Sequence, residues 1–223
     1  MKRYFSFVRF EHTVFALPLI LAGALLGQDG RPPIRVLLWI VVAAAGARTC
    51  AMALNRLIDA SLDARNPRTV DRELPSGRMT PRAGWAVAAA GTAVYLGAAA
   101  ALGRVCLQLA PVPLVVFAAY PYLKRFTPLA HLGVGIADAL GPLGAWAAVR
   151  AAAGAPLLAD AEPLWLLVGF TVLWIAGFDV IYATLDETFD RRAGLHSLPA
   201  WLGAANALRV SGLLHAAAGG ALA

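Results

Sequence analysis

The sequence predicts an all-α, polytopic transmembrane helical bundle of about seven spans, and three observations carry that prediction. Of 223 residues, 60% are hydrophobic and 14% charged, with a mean hydropathy of +0.67; a soluble domain of this length carries about 25% charge. The apolar residues gather in runs of about 20, the length a helix needs to cross the hydrocarbon core. Those runs are rich in Ala, Leu, Val and Gly, small enough for helix backbones to approach closely in lipid, and they lack the alternation of barrel strands.

Taken in order, residues 11–28 form the first predicted span. Lys2, Arg3 and Arg9 precede it, and without a small-residue cleavage site it reads as a retained helix rather than a removable leader. Residues 35–56 form the second span, and a basic, Pro- and Gly-punctuated loop over 57–82 follows. Residues 83–103 and 105–123 are the third and fourth spans, 129–150 the fifth, 163–184 the sixth and 198–221 the seventh. Cys50 and Cys106 lie within apolar runs at no metal-ligand or redox spacing, which favours small buried residues.

Loop charge predicts orientation. The segment before the first span holds three Lys/Arg, residues 56–82 six, Lys124 and Arg125 two, and Arg191 and Arg192 two. The opposite loops hold four: Arg31, Arg35, Arg104 and Arg150. Basic residues concentrate on the cytoplasmic side, so this bias puts the N-terminus inside. The net charge of +6 then serves orientation and phosphate contact. Nucleic acid is not an expected partner, because no recognition motif accompanies the cations.

Two acidic stretches stand at the cytoplasmic ends of the second and sixth spans. Asn55, Asp59 and Asp63 follow i, i+4, i+8; Asp179, Tyr182, Asp186 and Asp190 follow i, i+3, i+7, i+11. On continuous helices each set forms one stripe. In a soluble helix such acids usually form a solvated face, but a carboxylate near hydrocarbon costs about 2.5 to 3.5 kcal/mol, and here two stripes lie on one membrane side. Mg2+ is held by oxygen ligands, usually one or two carboxylates together with substrate phosphates. Two banks therefore suit a Mg2+-bound diphosphate. Their spacing, four spans apart, suggests one domain over 1–223 built from four-helix pseudo-repeats beginning near 1 and near 129. Arg65, Arg68 and Arg72 supply forks suited to phosphate, and Lys124 and Arg125 bring further cations to that side. Four scattered histidines, His12, His131, His196 and His215, do not suggest a metal site.

Three motifs now stand in order: Asn55-x3-Asp59-x3-Asp63 continuing to Asn66-Pro67-Arg68-Thr69; Tyr120-Pro121-Tyr122-Leu123-Lys124-Arg125-Phe126-Thr127; and Gly177-Phe178-Asp179-x2-Tyr182-x3-Asp186-x3-Asp190 with Gly194-Leu195-His196-Ser197-Leu198-Pro199. Together they resemble the UbiA-type membrane prenyltransferases, most of all the 4-hydroxybenzoate polyprenyltransferase branch. The resemblance implies an intramembrane enzyme of the bacterial inner membrane with its motifs on the cytoplasmic side. Its implied activity joins an isoprenyl or polyprenyl group from a diphosphate to an aromatic acid, 4-hydroxybenzoate or a hydroxylated naphthoate, in ubiquinone or menaquinone synthesis. It assigns Asp59, Asp63, Asp186 and Asp190 to Mg2+. Asn55, Lys124 and Arg68 go to the diphosphate side, and Asp179 and Tyr120 to the substrate pocket. Tyr182 orients ligands or faces the allylic cation, as Phe178 and Tyr120 could through their rings. Arg9 and Arg48 match basic positions that could pair with an acceptor carboxylate; Arg48, inside a span, is the more unusual. Since the family usually has eight or nine spans, seven reads as a C-terminally shortened form.

Two other readings place acids at membrane helix ends. A CDP-alcohol phosphotransferase requires an Asp-Gly pair followed by Ala-Arg, which neither stretch has. A transporter would hold its acids near the midplane at broken helices.

Overall fold

The computed structural model describes residues 7–8, 10–28 and 31–221, with the backbone alone over 10–15. The described chain is all-helical, as predicted: α1 (Phe10–Leu26), α2 (Ile34–Ile58), α3 (Ala60–Asp63), α4 (Pro81–Leu102), α5 (Arg104–Leu109), α6 (Pro111–Leu123), α7 (Ala130–Ala152), α8 (Glu162–Ala183), a 3-10 turn (Thr184–Asp186), α9 (Glu187–Ala193), α10 (Leu198–Leu202) and α11 (Ala204–Gly220). Among the described residues five helices are long and apolar enough to cross a membrane: Ile34–Ile58, Pro81–Leu102, Arg104–Leu123, Ala130–Ala152 and Glu162–Ala193. The chain is thus a multi-pass membrane protein.

The expected seventh span is not one helix. Gly203, at φ 81°, divides it into α10 and the 17-residue α11, and that backbone conformation is open to glycine at little cost. The fourth is almost continuous. α5 and α6 meet at Ala110, where Pro111 and Pro113 lack the N–H groups that would bond the preceding turn.

Two compact units emerge, one of Met1–Ala118 with Leu140–Leu164, the other of Ala119–Ala139 with Trp165–Ala223. In the first, α2 lies along α4. A Cβ on Gly46 would sit 2.6 Å from the Tyr95 backbone nitrogen, and one on Gly91 would sit 2.7 Å from that of Cys50. Glycine at both contacts permits this approach, the small-residue packing that holds helices together in lipid. Thr92 donates from Oγ1 to Cys50 Sγ at 3.1 Å, which makes Cys50 a packing residue, as expected. Ile20, Ala24, Ile40, Ala145, Ala148 and Val149 form an apolar core. Arg150 donates to the carbonyls of Pro156 and Ala159, and Trp146 to that of Leu157. Arg150 therefore fastens its own loop as well as carrying topological charge.

In the second unit, Ser211 of α11 donates to the Gly177 carbonyl of α8 at 2.8 Å. The rings of Phe170, Trp174 and Phe178 follow one another along α8, and His215 meets the edge of Trp174 at 4.9 Å. This packing sets the sixth span against the last helix.

Candidate active site

The first bank does not lie on an unbroken helix. α2 ends at Ile58, and Asp59 takes φ −92°, ψ 1° before α3 begins. That is the sparsely allowed bridge region, frequent at active sites. The i→i−4 bonds continue across the junction, from Asp59 N to Asn55 O and from Asp63 N to Asp59 O. The expected spacing therefore survives with a local bend. Asp59 is 3% exposed and Asp63 6%, whereas Asn55 is half-buried.

Asp63 is already gripped. Arg72 Nη1 donates to both its carboxylate oxygens, at 2.8 and 2.9 Å. Sequence reading offered Arg72 to phosphate; in the fold it neutralises a carboxylate of the bank. The intervening loop is ordered by local bonds. Asn66 Oδ1 accepts from Arg68 N–H, a turn set by the Asn-Pro pair, and buried Thr69 donates from Oγ1 to the Asp63 carbonyl. Those bonds leave the Arg65 and Arg68 side chains exposed on the loop. Arg48 lies half-buried within α2, while Arg9 falls outside the described residues.

The second bank is likewise bent. α8 stops at Ala183, the 3-10 turn follows, and Asp186 takes φ −107°, ψ 2° before α9. Three residues at 3.0 rather than 3.6 per turn advance the register by about 60°. Asp186 and Asp190 are accordingly rotated away from the single stripe expected with Asp179 and Tyr182. Each Asp-x3-Asp pair thus begins with an aspartate in the bridge region, between a long helix and a short one.

Around the second bank the unit gathers its polar groups. Asp190 hydrogen-bonds Ser197 and lies in the electrostatic reach of Asp186, Lys124 and His131. His131 Nδ1 is 2.7 Å from Asp179 Oδ2, and Leu198 N–H donates to His131 Nε2 at 3.2 Å. His196 N–H donates to the Lys124 carbonyl at 2.7 Å. Three successive loop residues, His196, Ser197 and Leu198, therefore bond Lys124, Asp190 and His131. This explains why the Gly194–Pro199 segment accompanies the aspartate motif. Arg125 lies over the Tyr122 ring at 4.8 Å. Tyr182 and Phe178 are exposed, 53% and 44%, and Tyr120 is half-buried.

His131 stands in the sequence as one of four scattered histidines. It is 4% exposed, and its partners lie 48 and 67 residues away; no local spacing announces it.

Among the described residues, no three His, Cys, Asp or Glu side chains form a metal-binding cluster. Mg2+ does not require one, since it keeps waters and takes phosphate oxygens beside one or two carboxylates. The paired, largely buried carboxylates of Asp59 and Asp63 fit that demand, and so does the oxygen-only pair Asp186 and Asp190.

Residues 16–223 match the UbiA prenyltransferase family. The chain is 29% identical over 199 residues to a 4-hydroxybenzoate octaprenyltransferase of Photobacterium profundum, covering 88% of this chain and 67% of the relative. It is 33% identical over 196 residues to a 4-hydroxybenzoate solanesyltransferase of a Synechocystis species, covering 85% and 62%. It thus spans about two thirds of the length of these curated relatives. Among solved structures, the apo form of a UbiA homolog from Aeropyrum pernix K1 superposes with TM-score 0.87 at 40% identity, covering 95% of this chain and 77% of that one. A UbiA homolog from Archaeoglobus fulgidus bound to GPP and Mg2+ shares the fold, with TM-score 0.69 at 21% identity over 97% and 75% of the two chains.

Proposed function

Because the chain belongs to the UbiA prenyltransferase family, we propose that it transfers an isoprenyl or polyprenyl group from its diphosphate to an aromatic acid. The proposed acceptor is 4-hydroxybenzoate or a hydroxylated naphthoate, on a route to ubiquinone or menaquinone. The observation that carries this reading is the matched pair of Asp-x3-Asp motifs, each opening on a bridge-region aspartate at a helix break. Curated relatives named for 4-hydroxybenzoate support the acceptor class. The 13-to-4 distribution of loop cations supports a bacterial inner-membrane protein with both motifs on the cytoplasmic face.

In this reading both banks act on one diphosphate. Asp59, Asp63, Asp186 and Asp190 would hold Mg2+, whose chemistry when bound is to neutralise charge gathering on the leaving diphosphate. Lys124 and Arg68 contact phosphate oxygens and Asn55 orients them, groups aimed where charge develops. The C1–O bond breaks with its electron pair on the diphosphate. The ring carbon ortho to the phenol supplies the pair for the new C–C bond, and the ring then loses its proton. Tyr182 would turn its ring to the allylic cation, and Tyr120 supplies a further ring for the same role. Either Arg48 or Arg9 would pair with the acceptor carboxylate, while apolar helix walls exclude water.

The test uses membranes carrying the chain, geranyl or a longer prenyl diphosphate, Mg2+, and either 4-hydroxybenzoate or a dihydroxynaphthoate, with products read by mass spectrometry. We expect one acceptor to gain a prenyl mass, and EDTA to abolish the gain. Product formation indifferent to EDTA would sink the metal clamp; no product from either acceptor would sink the acceptor class.

A further inference from the structure

The second bank contains a hydrogen-bonded histidine–aspartate pair that the metal clamp does not use. His131 sits in the first turn of α7 with its side chain 5% exposed, against Asp179 of α8 with its side chain 37% exposed. The two ring nitrogens have distinct work. Nε2 accepts the Leu198 N–H, so it carries the lone pair and the proton sits on Nδ1, which donates to Asp179 Oδ2 at 2.7 Å. One carboxylate oxygen is thereby tied down from inside the protein, while the accessible remainder of the group faces outward.

A carboxylate outside the metal bank accepts hydrogen bonds and donates none, so the substrate group that suits it is a donor. Neither the isoprenyl chain nor a fully ionised diphosphate carries a donor. Of the two proposed substrates, only the phenol of the acceptor does.

We infer that His131 is a positioning residue for the aromatic acceptor: through Asp179 it presents one carboxylate oxygen to the acceptor hydroxyl. The inference rests on the prenyl-transfer reading and names the group that selects a hydroxylated ring. The Leu198 bond makes the imidazole rigid, because a rotation that breaks one contact breaks the other.

The test combines variants with paired ligands. In detergent-solubilised full-length protein, binding of 4-hydroxybenzoate and 4-methoxybenzoate is measured by calorimetry, with steady-state constants for both substrates. His131→Phe keeps a ring and removes both hydrogen bonds. We expect it to weaken 4-hydroxybenzoate binding by about 10- to 100-fold, the worth of a hydrogen bond to a charged group. The methoxy ligand, which cannot donate, should change by less than about 2-fold, as should the KM for prenyl diphosphate. His131→Asn, which replaces the Nδ1 donor, should restore most of the affinity. His131→Gln, which can replace only the Nε2 acceptor, should not.

Equal weakening of both benzoates in His131→Phe overturns the inference, as does rescue by Gln but not Asn, since either makes His131 merely an anchor for the 194–199 loop. If Phe does not fold, the Asn and Gln pair decides alone. A wild-type chain that transfers prenyl groups to an acceptor without a hydroxyl overturns the inference while leaving the transferase reading intact. A wild type that binds neither benzoate and transfers nothing overturns both.

Discussion

At the residue scale, the candidate site was legible where chemistry is declared by local spacing and hidden where it is made by tertiary contact. Asp59, Asp63, Asp186 and Asp190 announce themselves four residues apart. His131 and the Arg72–Asp63 pair do not, because each joins a motif residue to a side chain that sequence alone leaves as loop charge or a stray histidine. Arg72 has two consequences. It neutralises a carboxylate that is 6% exposed, and it holds both oxygens through one nitrogen. Removing one partner of such a pair leaves a buried charge, at about 1.5 to 3 kcal/mol for a charge-assisted bond. Arg72→Ala should therefore lower the thermal midpoint in detergent. It should also raise the Mg2+ concentration needed for half-maximal transfer, since Asp63 loses the contact that orients it. Arg72→Lys keeps the charge on a single nitrogen but with a different reach and head shape, and should fall between wild type and the alanine variant. A variant with unchanged midpoint and unchanged Mg2+ requirement would remove Arg72 from the bank.

At the element scale, long apolar runs gave five of the spans nearly to the residue, because hydrocarbon length and backbone satisfaction leave a buried segment little choice but a helix. The breaks were less legible. Asp59 and Asp186 carry no Gly or Pro signal, so a helix-period reading runs straight through them, whereas the structure places both in the bridge region. Gly203 does carry a signal, but it lies inside an Ala- and Leu-rich run that reads as one span. The α2–α4 contact yields a prediction from two glycines with opposite surroundings. A Cβ on Gly46 would press on the Tyr95 backbone nitrogen at 2.6 Å, while one on Gly97 of the same α4 meets nothing within 4 Å. Gly46→Ala forces two backbones apart and should destabilise by about 1 to 3 kcal/mol, the range of overpacking. Gly97→Ala should be neutral or stabilising by up to about 1 kcal/mol, through helix propensity. Unfolding of the purified protein in mixed detergent reads both. A Gly46→Ala protein as stable as wild type would mean that the helices are not held by this close approach.

At the scale of the whole molecule, the fold and its family were readable because three motifs stand in order along most of the chain, each tied to a different helix end. What spacing alone could not say is whether two aspartate banks serve one diphosphate or two separate ions, and a double-mutant cycle on transfer decides it. Asp59 belongs to one compact unit and Asp186 to the other. Removing a group that stabilises the leaving diphosphate costs about 100-fold or more, so Asp59→Ala and Asp186→Ala should each fall by at least that factor while membrane insertion persists. Were the banks independent, the losses would multiply to about 10,000-fold, because separate contributions add as free energies. If both hold the same Mg2+-bound diphosphate, the first removal already dismantles the clamp, and the double variant should lie within about 10-fold of the weaker single one, as for groups that act as a unit. The same logic applies to binding. Mg2+-dependent retention of a prenyl diphosphate should vanish in either single variant, leaving nothing for the second to remove. Multiplicative losses in transfer, with partial binding kept in each single variant, would instead assign one ion to each bank and remove the shared diphosphate.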